Sequence, residues 1–541
     1  MSTIQATVNP RLLTKADRLF TGSLEGRVIE ILQNARRAGA TRVEITNTPD
    51  GRVVVRDNGR GIEDFEKLLD LGGSGWEESL EGSEDPAGVG LFCLAPREVV
   101  VRSRGQRVSI GGEAWRGEPV EIEADAEVID GTELCFADEP WSLAAVERHA
   151  VFCGMAVSVD GVDCPREPFI SERGTAYPEL GCRIEVRESK DLGPWHHTCS
   201  RGGYYGGNVL VNFHGQTVGF VFHAASEHHL SFLVELTGES TAIRLMLPAR
   251  TQLVENQAYT ALQSALEIEA YHYLQRRGHH RLAFKEYLRA RALGVILPEA
   301  TPTFDVGLLS GDSPEPVLVS KPEDMPLLAC YRLSPDLEQD DQFSEINAHL
   351  LAALGQFDTP FVPVRISEKY DGYSWAKLPT IDRVEFQAGK VLRESWLWSG
   401  QIVCVDRIEI TAHTSDGQVF SSPVCMGIPP VEPTDSGTYC DEVVYVTPQA
   451  QEQLSAAQIW YHFGGWYEDG DTYETQESQF SDELERFWAL LLGRDEQLRR
   501  NLFMAAESIK PKWRTVMLLA NGTVQIRFKS KNTKVVRPSA R

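Results

Sequence analysis

Glu30 and Asn34 stand four residues apart in the stretch Leu24–Ala40, LEGRVIEILQNARRAGA. On a helix that spacing stacks a carboxylate and a carboxamide on one face. Further on comes Asp57-Asn58-Gly59-Arg60-Gly61-Ile62. An aspartate followed by D-x-G-x-G spacing sets one acceptor beside two residues that let backbone approach a ligand closely. After a 25-residue span, Glu63–Ala87, the chain reads Gly88-Val89-Gly90-Leu91-Phe92. Glycines that open a helix offer free amides to phosphate oxygens. Gly131-Thr132-Glu133-Leu134 is a fourth short signal. Each alone is weak, since a D-x-G-x-G run can be any tight turn and a G-x-G before a helix is common. Their order, spacing and context agree.

The elements that must position these residues follow from periodicity. Leu24, Val28, Ile31 and Ala35 recur at helical spacing, and Gly39 ends the pattern. Arg42–Thr46 and Arg52–Arg56 alternate around Pro49-Asp50-Gly51, which predicts a hairpin. Asp57 therefore falls at a strand end. Glu98–Ser103 reads as a strand, and Gly131-Thr132 leads into another.

With those motifs in register over about 110 residues, the chain resembles the GHKL ATPases: gyrase B, the ninety-kilodalton heat-shock chaperones, histidine kinases and MutL. Glu30-Ile31-Leu32-Gln33-Asn34 matches their E-x-x-x-N helix, and Asp57–Gly61 matches D-x-G-x-G. Gly88-Val89-Gly90 matches the glycine pair after a mobile lid, Gly131-Thr132 matches the G-T dipeptide, and Leu71–Gly75 is similar to the chaperone lid. No G-x-x-x-x-G-K-[ST] run occurs, which excludes a P-loop. The resemblance implies ATP and Mg²⁺ as cofactors. It implies that Asp57 accepts from the adenine amine, with Gly59, Gly61 and Ile62 beside it and Thr132 helping through a water. It implies that Asn34 is the metal ligand, the kind of hard oxygen Mg²⁺ takes. Glu30 would take a proton from the attacking water or orient it. Gly88, Val89, Gly90 and Leu91 would bring amides to the phosphates.

One departure stands out. Family members often carry Asp three positions after the metal-binding Asn, and this chain has Arg37. Either the network around the nucleotide is rebuilt, or Arg36 and Arg37 form a solvated helix face. The lid span Glu63–Ala87 holds nine carboxylates and one lysine. Its glycines, rather than its side chains, are therefore expected at the nucleotide.

Beyond residue 140, Val157–Val162 reads as a hairpin around Asp160-Gly161, and Asn208–Phe222 as two runs around His214-Gly215. Strands at Ser231–Leu236 and Ala242–Leu247, then a helix from about Val254 to Arg276, complete a transducer-like pattern. By that resemblance Arg250 is the basic residue sent back to the γ-phosphate, with Lys285 a weaker candidate and a surface charge the competing assignment. His196, His197 and Cys199 lack the second pair of a zinc site. The glycine-rich loop 201–207 reads as a connector. Prolines accumulate after Leu297, and the last 240 or so residues carry no catalytic signature. Segments such as Ile402–His413 read as strands, and Asp482–Leu492 as a helix.

Composition narrows the classes. The 541 residues carry a formal charge of −25, with 42% hydrophobic and 24% charged residues, a folded globular balance. That charge opposes non-specific nucleic-acid binding and a topoisomerase's basic surface. The tail Arg527–Arg541, with six Lys/Arg and no acid, is the stretch suited to a nucleic acid or an acidic partner. Ten cysteines without a C-x-x-C pair, no apolar run of membrane length and no secretory signal point to a cytoplasmic protein. About 20 residues precede the first motif, too few for a phosphoacceptor helix. The expected fold is α+β: a GHKL (Bergerat) α/β sandwich at 1–165, a transducer-like α/β domain at 166–297, and a mixed α/β region at 298–541. The expected function is a Mg-ATP-binding and hydrolysing conformational machine, chaperone-like or MutL-like. It would form an ATP-dependent homodimer and act on a protein partner or client. The alternative is a nucleotide-gated protein-binding scaffold with negligible hydrolysis.

Overall fold

The computed structural model describes residues 23–71, 76, 90–194, 196, 208–238, 242–246 and 252–304, and in the rest of the chain 307–308, 317–318, 330–334, 361–364, 366–397, 400–427, 443–461, 473–493, 513–518, 524–528 and 533–536. The chain forms two compact units, Met1–Ala300 and Thr301–Arg541.

The first unit is built on helix α1, Leu24–Arg37, capped by Ser23, whose side chain accepts from Gly26 N. Its Val28, Ile31, Leu32 and Ala35 are buried. They pack with Val43, Ile45, Val53 and Val55 of strands β1 (Arg42–Asn47) and β2 (Arg52–Asp57). Full burial of each of the larger side chains stabilises by about 1.5–3 kcal/mol. Strands β3 (Val99–Ser103), β4 (Gln106–Ile110), β5 (Ile122–Ala124), β6 (Thr132–Ala137), β7 (Ala156–Val159) and β8 (Val162–Asp163) complete the sheet, in the order β5-β4-β3-β6-β2-β1-β7-β8. β1 pairs antiparallel with β2 and parallel with β7. Helix α2, Leu143–Ala150, buries Val146 and Ala150 in the same core.

A second sheet in this unit holds β9 (Thr175–Tyr177), β10 (Cys182–Glu188), β11 (Val209–Phe213), β12 (Gln216–Phe220) and β13 (Leu230–Leu236), in the order β12-β11-β13-β10-β9. Helix α3, Gln257–Arg277, starts where Asn256 accepts from Tyr259 N at 2.9 Å and stops at left-handed Gly278. It buries Leu262, Leu266, Ala270 and Leu274 in the core that also holds residues of this sheet. Helix α4 is Phe284–Ala292. Of the expected strand Ala242–Leu247, Leu247 lies outside the described residues, and the described part shows a single bridge, Leu245 to Leu253. Met246 N donates to Gln252 O, and Val254 N to Arg244 O. Among the described residues, 244–246 thus pair with 252–254.

In the second unit, Val362–Val364, Cys330–Leu333, Thr380–Ala388, Ile408–Thr414 and Val419–Val424 form one five-stranded sheet. Val391–Leu397, Gly400–Val405, Val443–Val446 and Met426–Gly427 form a second sheet. Its core includes Phe480, Leu484, Phe487 and Trp488 of the helix Tyr473–Leu492. Trp513–Leu518, Val524–Phe528 and Thr533–Val536 make a three-stranded sheet. The chain is thus a mixed α/β protein in both units. No helix among the described residues is long and apolar enough to cross a membrane.

Candidate functional site

Asp57 ends β2 opposite Thr132, the first residue of β6. Its Oδ1 accepts from Gly59 N at 2.8 Å. Burial pushes its carboxyl above the ordinary value, and the amides of Gly59 and Thr132 pull the other way. The loop after it is sewn to the end of α1 and the start of β1. Asn58 Oδ1 accepts from Thr41 N at 2.8 Å and Arg42 N at 2.9 Å, and Arg60 N donates to Ala38 O at 2.8 Å. Ile62 N donates to Ser103 Oγ at 2.9 Å, and Ser103 Oγ donates to Gly131 O at 2.6 Å.

Two glycines allow this close packing. Gly61 has φ +75°, and a Cβ there would meet Ser103 Oγ at 2.6 Å. Gly131 has φ +76°, and a Cβ there would overlap the Asp57 carbonyl oxygen. Both conformations favour glycine. Asp57, Gly59, Gly61, Ile62 and Thr132 therefore converge on one corner, with Ser103 and Gly131 as supports. The sequence flagged Gly131 only as part of a dipeptide and gave no sign of Ser103, which lies 41 residues from Ile62.

Glu30 and Asn34 are half-buried on α1. The Cys93 thiol is pushed well up, first by burial and next by the Glu30 carboxylate, so Glu30 neighbours the turn Gly90–Leu94 that carries Gly90 and Leu91. That turn is a 3-10 helix of five residues, shorter than the helix expected after the glycine pair. Pro96, two residues on, bars continuation. Gly88, Val89 and Arg250 lie outside the described residues, as do most of the lid, the N-terminal segment, His197, Cys199 and the loop 201–207. Lys285 is exposed on α4. His196 is buried between Phe152 and Phe169, with Nε2 2.8 Å from Phe169 O. No cluster of metal-ligating side chains occurs among the described residues.

Arg37 is buried, and its guanidinium leans back along α1 toward the preceding turn, as long helical side chains do. Nη1 donates to Asn34 Oδ1 at 3.3 Å and Nη2 to Gln33 Oε1 at 3.3 Å. Gln33 Nε2 in turn donates to Phe213 O, at the end of β11, at 3.4 Å. The oxygen that the resemblance assigns to Mg²⁺ is thus engaged by a fixed cation. A magnesium ion binds at about 2.0–2.1 Å from its oxygen ligands, which would set two positive charges against each other. In this arrangement the residues around Asn34 do not fit the metal.

No protein-family model matches the chain, and no curated protein does. Three of the solved structures similar to it illustrate the likeness. The N-terminal domain of a DNA repair protein has 11% identity over 50% of this chain and 98% of its own, with a TM-score of 0.31. The Aquifex aeolicus MutL ATPase domain complexed with ADP has 17% identity over 40% and 92%, with a TM-score of 0.24. The B-subunit of DNA gyrase from Myxococcus xanthus has 14% identity over 44% and 86%, with a TM-score of 0.28. Scores this low say nothing of what this chain binds.

Proposed function

We propose that the first unit binds ATP at the Asp57 corner and works as a nucleotide-gated conformational machine of the GHKL type. The observation that supports this most is the half-buried Asp57 carboxylate, set at a strand end and surrounded by the close-packed Gly59, Gly61, Gly131 and Thr132. A carboxylate there accepts from an exocyclic amine, which distinguishes adenine from guanine. Thr132 lies across the strand pair, and Ile62 offers an apolar edge. Gly88, Val89, Gly90 and Leu91 supply amides to phosphate oxygens, and Arg250 is the basic residue directed to the γ-phosphate. Glu30, one helical turn from Asn34, is the group suited to draw a proton from an attacking water. The Asn34 oxygen that the resemblance gives to Mg²⁺ is engaged by Arg37.

The same contact favours a second reading, a nucleotide-gated protein-binding scaffold with negligible hydrolysis. Gating would run from α1 through Gln33 to the β11–β12 turn, where Asn212 Nδ2 also donates to Phe152 O at 3.4 Å. An ATP-dependent homodimer and a protein client belong to either reading. Calorimetry of the full chain with ATP tests the binding site. Asp57→Asn is expected to abolish binding, and unchanged affinity in that variant would remove the adenine assignment.

A further inference from the structure

We propose that the Arg37 guanidinium stands in for the divalent cation at Asn34, so that this chain holds nucleotide phosphates with an internal charge and binds nucleotide equally well without Mg²⁺. The inference rests on the nucleotide-binding reading above and goes beyond it, because the resemblance implies a metal.

Three observations converge. The Asn34 Oδ1 atom already accepts from Arg37 Nη1. The guanidinium is fixed from its other side by Gln33 Oε1, and Gln33 is itself anchored to Phe213 O across to β11. Gln33 and Arg37 are both buried, at 3% and 6% exposure, so neither side chain is a loose surface group. Arginine never loses its charge at working pH and suits oxyanions through its planar fork. A bare nucleotide carries more negative charge than its magnesium complex, and this chain is already at −25. An internal cation at the end of α1 offsets part of that charge without an ion from solution. Arg37 also lies in the last turn of α1, where the helix dipole favours a cation. That alone would make it a structural charge, so the test must read something a structural charge leaves alone.

The readout is the metal dependence of binding by the full chain. ADP and a non-hydrolysable ATP analogue are titrated calorimetrically, once in EDTA and once in excess Mg²⁺. The wild type is expected to show affinities within about threefold of each other in the two buffers, a difference too small to represent a lost charge-assisted contact. Arg37→Asp, which restores the residue common in the family, is expected to weaken binding in EDTA by about 10–100-fold and to recover it in Mg²⁺. Arg37→Met removes the charge at similar length and is expected to lose affinity in EDTA as well. Wild-type binding that weakens more than about tenfold in EDTA overturns the proposal while leaving the nucleotide reading intact. Equal affinities for wild type and Arg37→Met in EDTA also overturn it. Absence of binding in both buffers removes the nucleotide reading and this inference with it. The wild-type arms can overturn the proposal even if a variant fails to fold.

Discussion

At Asp57, folding and ligand chemistry favour different protonation states. Burial raises the carboxyl in the folded chain, so folding favours its protonated form, while an adenine amine needs the ionised acceptor. The pH signs follow by linkage. The stability cost of ionised Asp57 sets in as pH rises past the unfolded value and is complete above the folded one. Asp57→Asn is therefore expected to leave the melting temperature at neutral pH unchanged or slightly higher, yet to cost about 2–4 kcal/mol of nucleotide binding through a mismatched buried donor. Wild-type affinity is expected to fall on acidification, over an interval that begins above the usual carboxylate range. Calorimetry across that interval checks both the direction and its onset. At Glu30 the expectation separates binding from turnover. Glu30→Ala should hold affinity within a few-fold but lower phosphate release by about 10²–10⁴-fold if the side chain is a general base. Equal release from wild type and variant favours the scaffold. Glu30, Asn34 and the Asp57–Gly61 run were legible because local spacing fixes their neighbours. Ser103 was not, since its contact with Ile62 is made by tertiary packing. Arg37 was visible only as a departure. That it bends onto Asn34 needed the side-chain direction.

At the scale of elements, α1 holds two of the candidate side chains, Glu30 and Asn34, on the helix that packs over the β1–β2 hairpin. Its first turns are tied to the sheet by Asp138, just beyond β6. Asp138 accepts from Arg27 Nε at 2.9 Å, Arg97 Nη2 at 3.1 Å and Trp141 Nε1 at 3.0 Å. The Arg27 and Asp138 side chains are 7% and 3% exposed. Removing one partner of such a buried pair leaves an uncompensated charge, so Asp138→Ala is expected to destabilise by about 3–5 kcal/mol. Chemical denaturation of the full chain measures it, with the midpoint of the first transition as readout. Helix α1 and the β1–β2 hairpin were readable because burial imposes their periods of 3.6 and 2. The start of α3 was placed some three residues early, because the cap at Asn256 and not the apolar pattern sets it. The Ala242–Leu247 segment has a strand's apolar content, but its hydrogen bonds go to Gln252 and Val254. Pattern cannot reveal which partner a short apolar run will find.

At the scale of the molecule, the first unit carries a physical link between its two sheets. Gln33 on α1 donates to Phe213 O. A small core of Val151, Phe152, Phe169, Ile170, Leu210 and Leu233 joins residues of both parts. A ligand that shifts α1 therefore acts on the β11–β12 hairpin directly, by as much as its affinity differs between the two arrangements. The same logic extends to self-association. The segment Met1–Phe20 carries apolar Leu12, Leu13, Leu19 and Phe20, and the lid span carries nine carboxylates against one lysine. If two protomers bring these lids together, like charges meet, and screening shortens the reach of that repulsion from about 30 Å at 0.01 M salt to about 8 Å at 0.15 M. The dimer is therefore expected to be weak at low salt, to tighten as salt rises, and to form only with a non-hydrolysable ATP analogue. Sedimentation velocity of the full chain and of a chain lacking Met1–Phe20, with and without the analogue, measures this. Loss of the dimer in the shortened chain assigns the contact to the N-terminal segment. A monomer under every condition with nucleotide bound excludes the clamp and leaves a monomeric switch acting on a protein partner.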